Sequence, residues 1–168
     1  GFHLGEKERW AKRSLWEDGT RVPIIVTAPG FKKDQRSDRP AELLDVFPTL
    51  LELAGLPADS TQEGQSLVPL MKDPKKHWEH PAITSFGLGN YSVRSTRYRF
   101  IQYFDGSREL YDLSKDPHEW NNLATDPKNK SIIEEHAAHL PKKQHPVLPG
   151  SSTGHKAYGA ANANIKKD

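Results

Sequence analysis

Cysteine is absent from this chain. Disulfides, thiolate-bound metals and cysteine nucleophiles are therefore excluded among these residues. Long apolar runs are missing too: none approaches the ~20 residues of a membrane-spanning helix. Neither sign of charge dominates, with 24 Lys+Arg against 22 Asp+Glu and a formal net charge of +2. A nucleic-acid partner usually leaves a clustered basic excess. The composition thus points away from nucleic acid and away from a membrane span. Apolar residues are scarce, at 35%, with a mean hydropathy of -0.78. The 168 residues suffice for one domain, or one domain plus an extension, around a modest core. Part of such a chain is disordered or packs against something outside it.

What is present falls into segments of different pattern. Residues 22–27 are a β-branched apolar run closed by Pro29-Gly30, which predicts a buried strand ending in a turn. Being apolar on both faces, it suits a parallel sheet. The spacing predicts a helix over 45–54, with Asp45 as cap and Pro48 in the first turn. Val46, Phe47, Leu50, Leu51 and Ala54 fall on one face of it, and Gly55 is placed for a left-handed stop. A shorter helix is expected over 66–71. Beyond Pro74, strands are expected over 82–86, 91–95, 98–104 and 109–113. Their short, polar separators predict an antiparallel meander. A last helix is expected over 131–140, and residues 141–168, rich in Pro, Gly, Ser, Ala, Asn and Lys, read as a flexible tail.

Several ordered motifs stand out. Gly1-x-x-Leu4-Gly5-Glu6 is followed by Trp10-Ala11-Lys12 and by Leu15-Trp16-Glu17-Asp18-Gly19-Thr20-Arg21-Val22-Pro23. Later come LLDVFPTLLELAGL, GQSLVPLM, YSVRSTRYRFIQY and ELYDLSKDPHEWNNLA. Together they resemble the sulfatase family of the alkaline phosphatase superfamily, over roughly residues 1–127. The Tyr-Ser-Val-Arg and Trp-Ala-Lys wording leans toward its iduronate-2-sulfatase subgroup. In that family the first passage follows directly on an Asp-His pair of metal ligands. The chain is therefore expected to be the C-terminal portion of a longer enzyme.

The resemblance implies an α/β fold: the C-terminal part of an alkaline phosphatase-like α/β sandwich plus a small antiparallel sheet subdomain with a helix. Residues 1–74 would complete the catalytic domain, 75–140 would form the subdomain and 141–168 the tail. The activity implied is hydrolysis of sulfate esters on sulfated carbohydrate. It would use a formylglycine nucleophile and a calcium ion held mostly by ligands outside this chain. The family's Cys/Ser-x-Pro-x-Arg nucleophile motif is not found here, so the chain alone is expected to be inactive and to need the remaining N-terminal portion as its partner. A periplasmic, lysosomal or extracellular location is implied by the family alone.

Lys12 matches the family lysine that contacts the sulfate, a catalytic and substrate-binding role as a point-charge clamp. On composition alone it would read as a solvated surface lysine. His3 is a candidate for the pocket rim, and Phe2 and Trp16 could wall a sugar pocket, although an aromatic beside a strand is more often core. Glu17 and Arg21 are read as supports, with Arg21 pairing with Glu17 or a carbonyl to fix the loop that carries Lys12. No metal ligand is assigned within the chain. His136 and His139 are spaced to face one metal, but a solvated helix face explains them as well. Asp116 to Leu123 reads as a structural turn. Asn90-Tyr91-Ser92 and Asn129-Lys130-Ser131 are glycosylation sequons in a secretory setting.

Two other readings stay open. One is a phosphoester or phosphonate hydrolase of the same superfamily, and the other is a non-catalytic carbohydrate-binding or scaffold module. If residues 22–26 and the leucines at 50, 51 and 53 lack cover, the chain is also expected to self-associate.

Overall fold

A computed structural model describes residues 1–144. The expected tail therefore lies outside the described residues from residue 145 onward. The centre of the structure is a four-stranded antiparallel sheet in the order β1-β2-β3-β4, with β1 Ala82–Ser85, β2 Tyr91–Arg94, β3 Tyr98–Gln102 and β4 Arg108–Asp112. The meander follows from short turns. Gly106 adopts φ 83 in the β3–β4 turn, where Asp105 accepts hydrogen bonds from the backbone and hydroxyl of Ser107. Ser95 closes the β2–β3 turn by accepting from Tyr98 N at 3.1 Å.

Side chains alternate across the sheet, and both faces are covered. On one side Val93, Phe100 and Leu110 pack with Ile133 of helix α4, Lys130–Ala137. On the other, Ile101 and Tyr111 pack with Leu15 from the start of the chain, flanked by Trp16, Phe86 and Tyr103. The edge of β4 is finished by the turn that follows it. Asn122 Oδ1 accepts from Leu110 N at 3.0 Å, and Leu123 N donates to Leu110 O at 2.8 Å. The structural reading of residues 116–123 rests on these bonds.

Helices α1 Glu17–Thr20, α2 Val46–Leu53 and α3 Val68–Lys72 precede the sheet. Helix α2 ends as the sequence predicts: Gly55 takes φ 68, Gly55 N donates to Glu52 O, and Leu56 N donates to Leu51 O. Its start differs. Asp45 belongs to a 3-10 turn, Leu43–Asp45, one step before the helix. Its buried carboxylate accepts from Glu42 N and from Gln65 N, both at 2.8 Å, so it staples two segments together instead of capping α2. Thr49 completes the staple by accepting from Leu67 N at 2.8 Å.

One expectation fails on packing. Residues 22–27 form no strand, and Val22, Ile25 and Val26 are exposed. A strand requires a ladder partner, Pro23 has no N–H to donate, and the described sheet consists only of β1–β4. The apolar face of α2 is likewise open: Val46, Phe47 and Leu50 are exposed, and the buried residue of the helix is Thr49.

Candidate functional site

The motif-rich start of the chain folds back on itself and docks on the sheet. His3 N donates to Ala11 O at 3.0 Å and Gly5 N donates to Arg9 O at 3.0 Å. Between them runs a 3-10 turn, Glu6–Glu8, entered through Gly5 at φ 126. Only glycine adopts that entry without strain. Lys7, Glu8 and Arg13 also have left-handed φ values, of 56, 54 and 61. Such residues cost roughly 1–3 kcal/mol each and gather in functional loops.

Three anchors hold this loop. The first is Lys7, whose ammonium lies 4.5 Å from the ring centroid of Tyr111, 5.4 Å from that of Trp16 and 5.7 Å from that of Trp120. It also donates to Tyr111 Oη at 3.3 Å and to Glu119 O. The second is Trp16, whose Nε1 donates to Glu109 Oε2 at 2.7 Å. Tyr103 and Tyr111 donate to the same carboxylate at 3.1 and 2.9 Å. Burial, followed by the charge of Glu109, pushes both tyrosine pKa values up.

The third anchor is a buried charge cluster around Arg99. Its guanidinium donates to Leu15 O at 2.9 Å, to Ser92 Oγ at 2.5 Å and to Glu17 Oε2. Arg99 Nε lies 2.7 Å from Glu119 Oε1, a charge contact without hydrogen-bond alignment. Glu119 Oε2 accepts from Glu17 N at 2.8 Å. The two carboxylates are pushed apart in pKa. Burial raises Glu119 more than Arg99 lowers it. Burial also acts upward on Glu17, but Arg99 and Arg94 outweigh it and hold that carboxyl below its ordinary value.

Lys12 sits between these anchors and is exposed. The backbone beneath it is fixed, because Arg9 Nη2 donates to Lys12 O at 3.2 Å and to Arg13 O at 3.1 Å. Among the described residues its ammonium enters no ion pair. The loop therefore presents a free cation on a held backbone.

The other expected site residues take different positions. Phe2 is exposed and Trp16 is half-buried as part of the core. His3 is fully buried, 5.9 Å edge-to-face from Trp16, instead of lying open on a rim. Glu17 forms ion pairs with Arg99 and Arg94. Among the described residues no ion pair joins it to Arg21. Helix α1 stops at Thr20, and Arg21 is extended at φ -70, ψ 120, so the side-chain spacing of a helix is lost there. Lys7, Arg99 and Glu119 carry no sequence signal for these roles, since their partners are distant along the chain.

One cluster among the described residues has the makings of a metal site: His3, Glu6 and Asp18 offer ligand atoms within 4.8 Å of one another. Three donors, only two of them carboxylates, fall well short of the roughly six to eight oxygen ligands that calcium takes. The calcium implied by the family therefore does not fit these residues. Histidines 136 and 139 form no such cluster. His136 is buried, its Nδ1 donating to Ile132 O at 2.7 Å and its Nε2 lying 2.9 Å from Ser95 Oγ. A cavity of about 500 Å³ lies beside it, lined in part by Trp78, His80, Arg97 and His139, away from the Lys12 loop.

Known proteins are similar to this chain in sequence and fold. The family described as N-sulphoglucosamine sulphohydrolase, C-terminal, matches residues 5–146. A protein named sulfatase from Formosa agariphila is 44% identical over 142 residues, covering 84% of this chain and 28% of the relative. A Delta 4,5-hexuronate-2-O-sulfatase from Bacteroides thetaiotaomicron is 36% identical over 141 residues, covering 76% of this chain and 29% of its own length. The solved structure of a 2-O GAG sulfatase superposes with a TM-score of 0.64 at 33% identity, covering 77% of this chain and 31% of that one. The chain thus spans less than a third of the curated relatives it matches. Its fold is the sulfatase, alkaline phosphatase-like α/β fold, and the chain belongs to the N-sulphoglucosamine sulphohydrolase C-terminal family of sulfatases.

Proposed function

We propose that this chain is the C-terminal portion of a sulfatase that hydrolyses sulfate esters of sulfated sugars, with a 2-O-sulfated uronate as the substrate class. The observation that carries the reading is the exposed Lys12 on its anchored loop, in a chain whose relatives include a hexuronate-2-O-sulfatase. A sulfate ester gathers negative charge on its oxygens as the S–O bond breaks. A fixed cation facing those oxygens stabilises the transition state. Arg9, Lys7 and the Arg99 cluster would act by holding the Lys12 backbone still, so that little ordering remains to be done when substrate binds.

The nucleophile is assigned to the rest of the enzyme. When bound in the whole protein, formylglycine would supply the attacking hydroxyl and calcium would bind the sulfate oxygens. The Cys/Ser-x-Pro-x-Arg motif that becomes formylglycine is not found here, and the chain's own donor set does not suit calcium. The isolated chain is therefore expected to be inactive. The same reading assigns the whole protein to a periplasmic, lysosomal or extracellular compartment.

The test is a pair of variants in the whole enzyme, assayed on a 2-O-sulfated unsaturated uronide. Lys12→Ala should lower kcat/KM by about 10²–10³. Lys32→Ala, an exposed residue beyond the loop, should change it little, because solvent and salt screen a charge placed there. Equal losses would defeat the assignment of Lys12. Turnover of a phosphonate monoester in preference to the sulfate would defeat the substrate class.

A further inference from the structure

His3 has an unsatisfied atom. Its Nε2 lies 2.6 Å from Ser14 Oγ. Its Nδ1 is buried with no hydrogen-bond partner, in a side chain that is 0% exposed. A buried polar atom left alone costs about 1–3 kcal/mol, so its retention calls for an explanation. Two carboxylates stand close to the ring. One ring nitrogen of His3, one oxygen of Glu6 and one of Asp18 all lie within 4.8 Å of one another. With Nε2 engaged by Ser14, Nδ1 is the nitrogen left for a ligand.

We propose that His3 Nδ1, Glu6 and Asp18 bind a divalent transition cation of the zinc or manganese kind. One imidazole and two carboxylates suit these borderline ions better than calcium, which prefers oxygen throughout. In the metal-bound form Nε2–H would donate to Ser14 Oγ, leaving the Nδ1 lone pair for the metal. Ser14 can sit there because residue 19 is glycine; a Cβ at that position would come within 2.1 Å of Ser14 Oγ.

Glu6 Oε2 accepts from Leu4 N at 2.6 Å, and backbone hydrogen bonds from Leu4 and then Glu6 hold its carboxyl below its ordinary pKa. It is ionised at neutral pH and keeps Oε1 for a ligand. Ligand atoms about 2.1 Å from one tetrahedral ion stand about 3.4 Å apart. The carboxylates therefore need to draw in by at most about 1.4 Å. Glu6 is half-buried and Asp18 exposed, so both can move, while His3 is fixed.

The experiment uses the full chain, stripped with chelator and titrated with Zn²⁺ by calorimetry. It reads metal affinity alone and is independent of sulfatase activity. One Zn²⁺ per chain should bind, and Asp18→Asn and Glu6→Gln should each weaken it by about tenfold or more. His77→Gln, in the exposed His77–Glu79 pair, should leave the affinity unchanged. Since removing a buried histidine endangers folding, His3 is tested in the unsubstituted chain: its ¹⁵Nδ1 resonance should shift on adding Zn²⁺ and return with EDTA. The proposal is overturned if no binding is seen up to about 1 mM Zn²⁺, or if affinity survives both carboxylate variants. Loss of affinity with His77→Gln, or an unmoved Nδ1 resonance, overturns it equally.

Discussion

Phe100 and Ile101 are neighbours on β3, face opposite sides of the sheet, and are both fully buried. Val22, Ile25 and Val26 are side chains of the same kind, yet they are between 40% and 87% exposed. The difference is what stands beside each. Helix α4 covers one face of the meander, and the N-terminal loop, residues 1–20, covers the other. Residues 22–27 have β-branched composition without a ladder partner. Composition supplies a tendency to extend, and pairing turns it into a strand.

The sharpest way to break this contrast is at Arg99, on which the docking of the N-terminal loop depends. Arg99→Ala leaves the buried Glu119 without its counter-charge and the half-buried Glu17 with Arg94 alone. Removing one partner of a buried ion pair costs about 3–5 kcal/mol. Urea denaturation of the chain should show the midpoint falling by the corresponding amount, or cooperative unfolding should disappear. A loss below about 1 kcal/mol would mean that the cluster behaves as a solvated surface pair and that the loop is held by other means.

Lys7→Ala should have a smaller effect. It removes a cation set among Tyr111, Trp16 and Trp120 and a hydrogen bond to the Glu119 carbonyl. A loss of about 1–2 kcal/mol is expected. The fluorescence of Trp16 and Trp120 should change as the loop loosens, and Lys7→Arg should restore most of the stability. Unchanged stability and emission would show that Trp16 and Leu15 suffice to dock the loop.

The opposite face of the sheet offers a pH test. Burial depresses the pKa of His136 below its ordinary 6.5. Its neutral form joins α4 to the β2–β3 turn through Ile132 O and Ser95 Oγ. With a folded pKa below the unfolded one, the unfolded state takes up the proton first as pH falls. The contribution is therefore complete above about pH 6.5 and is lost below it, with a slope of at most about 1.4 kcal/mol per pH unit for one proton. His136→Gln should remove that slope between neutral pH and about 5.5. An identical pH profile for the variant would place the titration elsewhere.

The meander was legible because its signals are local: alternation within β3 and β4, and Asp105-Gly106-Ser107 in the turn. The stop of α2 at Gly55 was legible for the same reason. Lys12 was singled out as a candidate through motif resemblance, since no local rule separates it from other exposed lysines. The anchors were not legible. Lys7 meets Tyr111 across 104 positions, and Glu17 meets Glu119 across 102. The expected pairing of Arg21 with Glu17 or a carbonyl rested on its place just before residues 22–27, and Glu17 turns instead to Arg94 and Arg99 across the chain. The cover of α2 was equally out of reach, because an apolar stripe predicts that something packs there without saying what.

That open stripe gives the smallest expected effect on stability and a separate readout. Leu43, Leu44, Val46, Phe47 and Leu50 are all exposed along the 3-10 turn and α2. A polar side chain at such a site gives up little in the folded chain, so Phe47→Ser and Leu50→Ser should each change the unfolding free energy by no more than about 0.5 kcal/mol. Contiguous exposed apolar surface favours association, and the chain is expected to self-associate through it. Light scattering after size exclusion should show oligomers that shift toward monomer in the double variant. In the whole enzyme the same double variant should instead destabilise the fold, because there we expect the stripe to be packed. A chain already monomeric before substitution, or a whole enzyme indifferent to it, would mean that the face of α2 is a solvated surface in both settings.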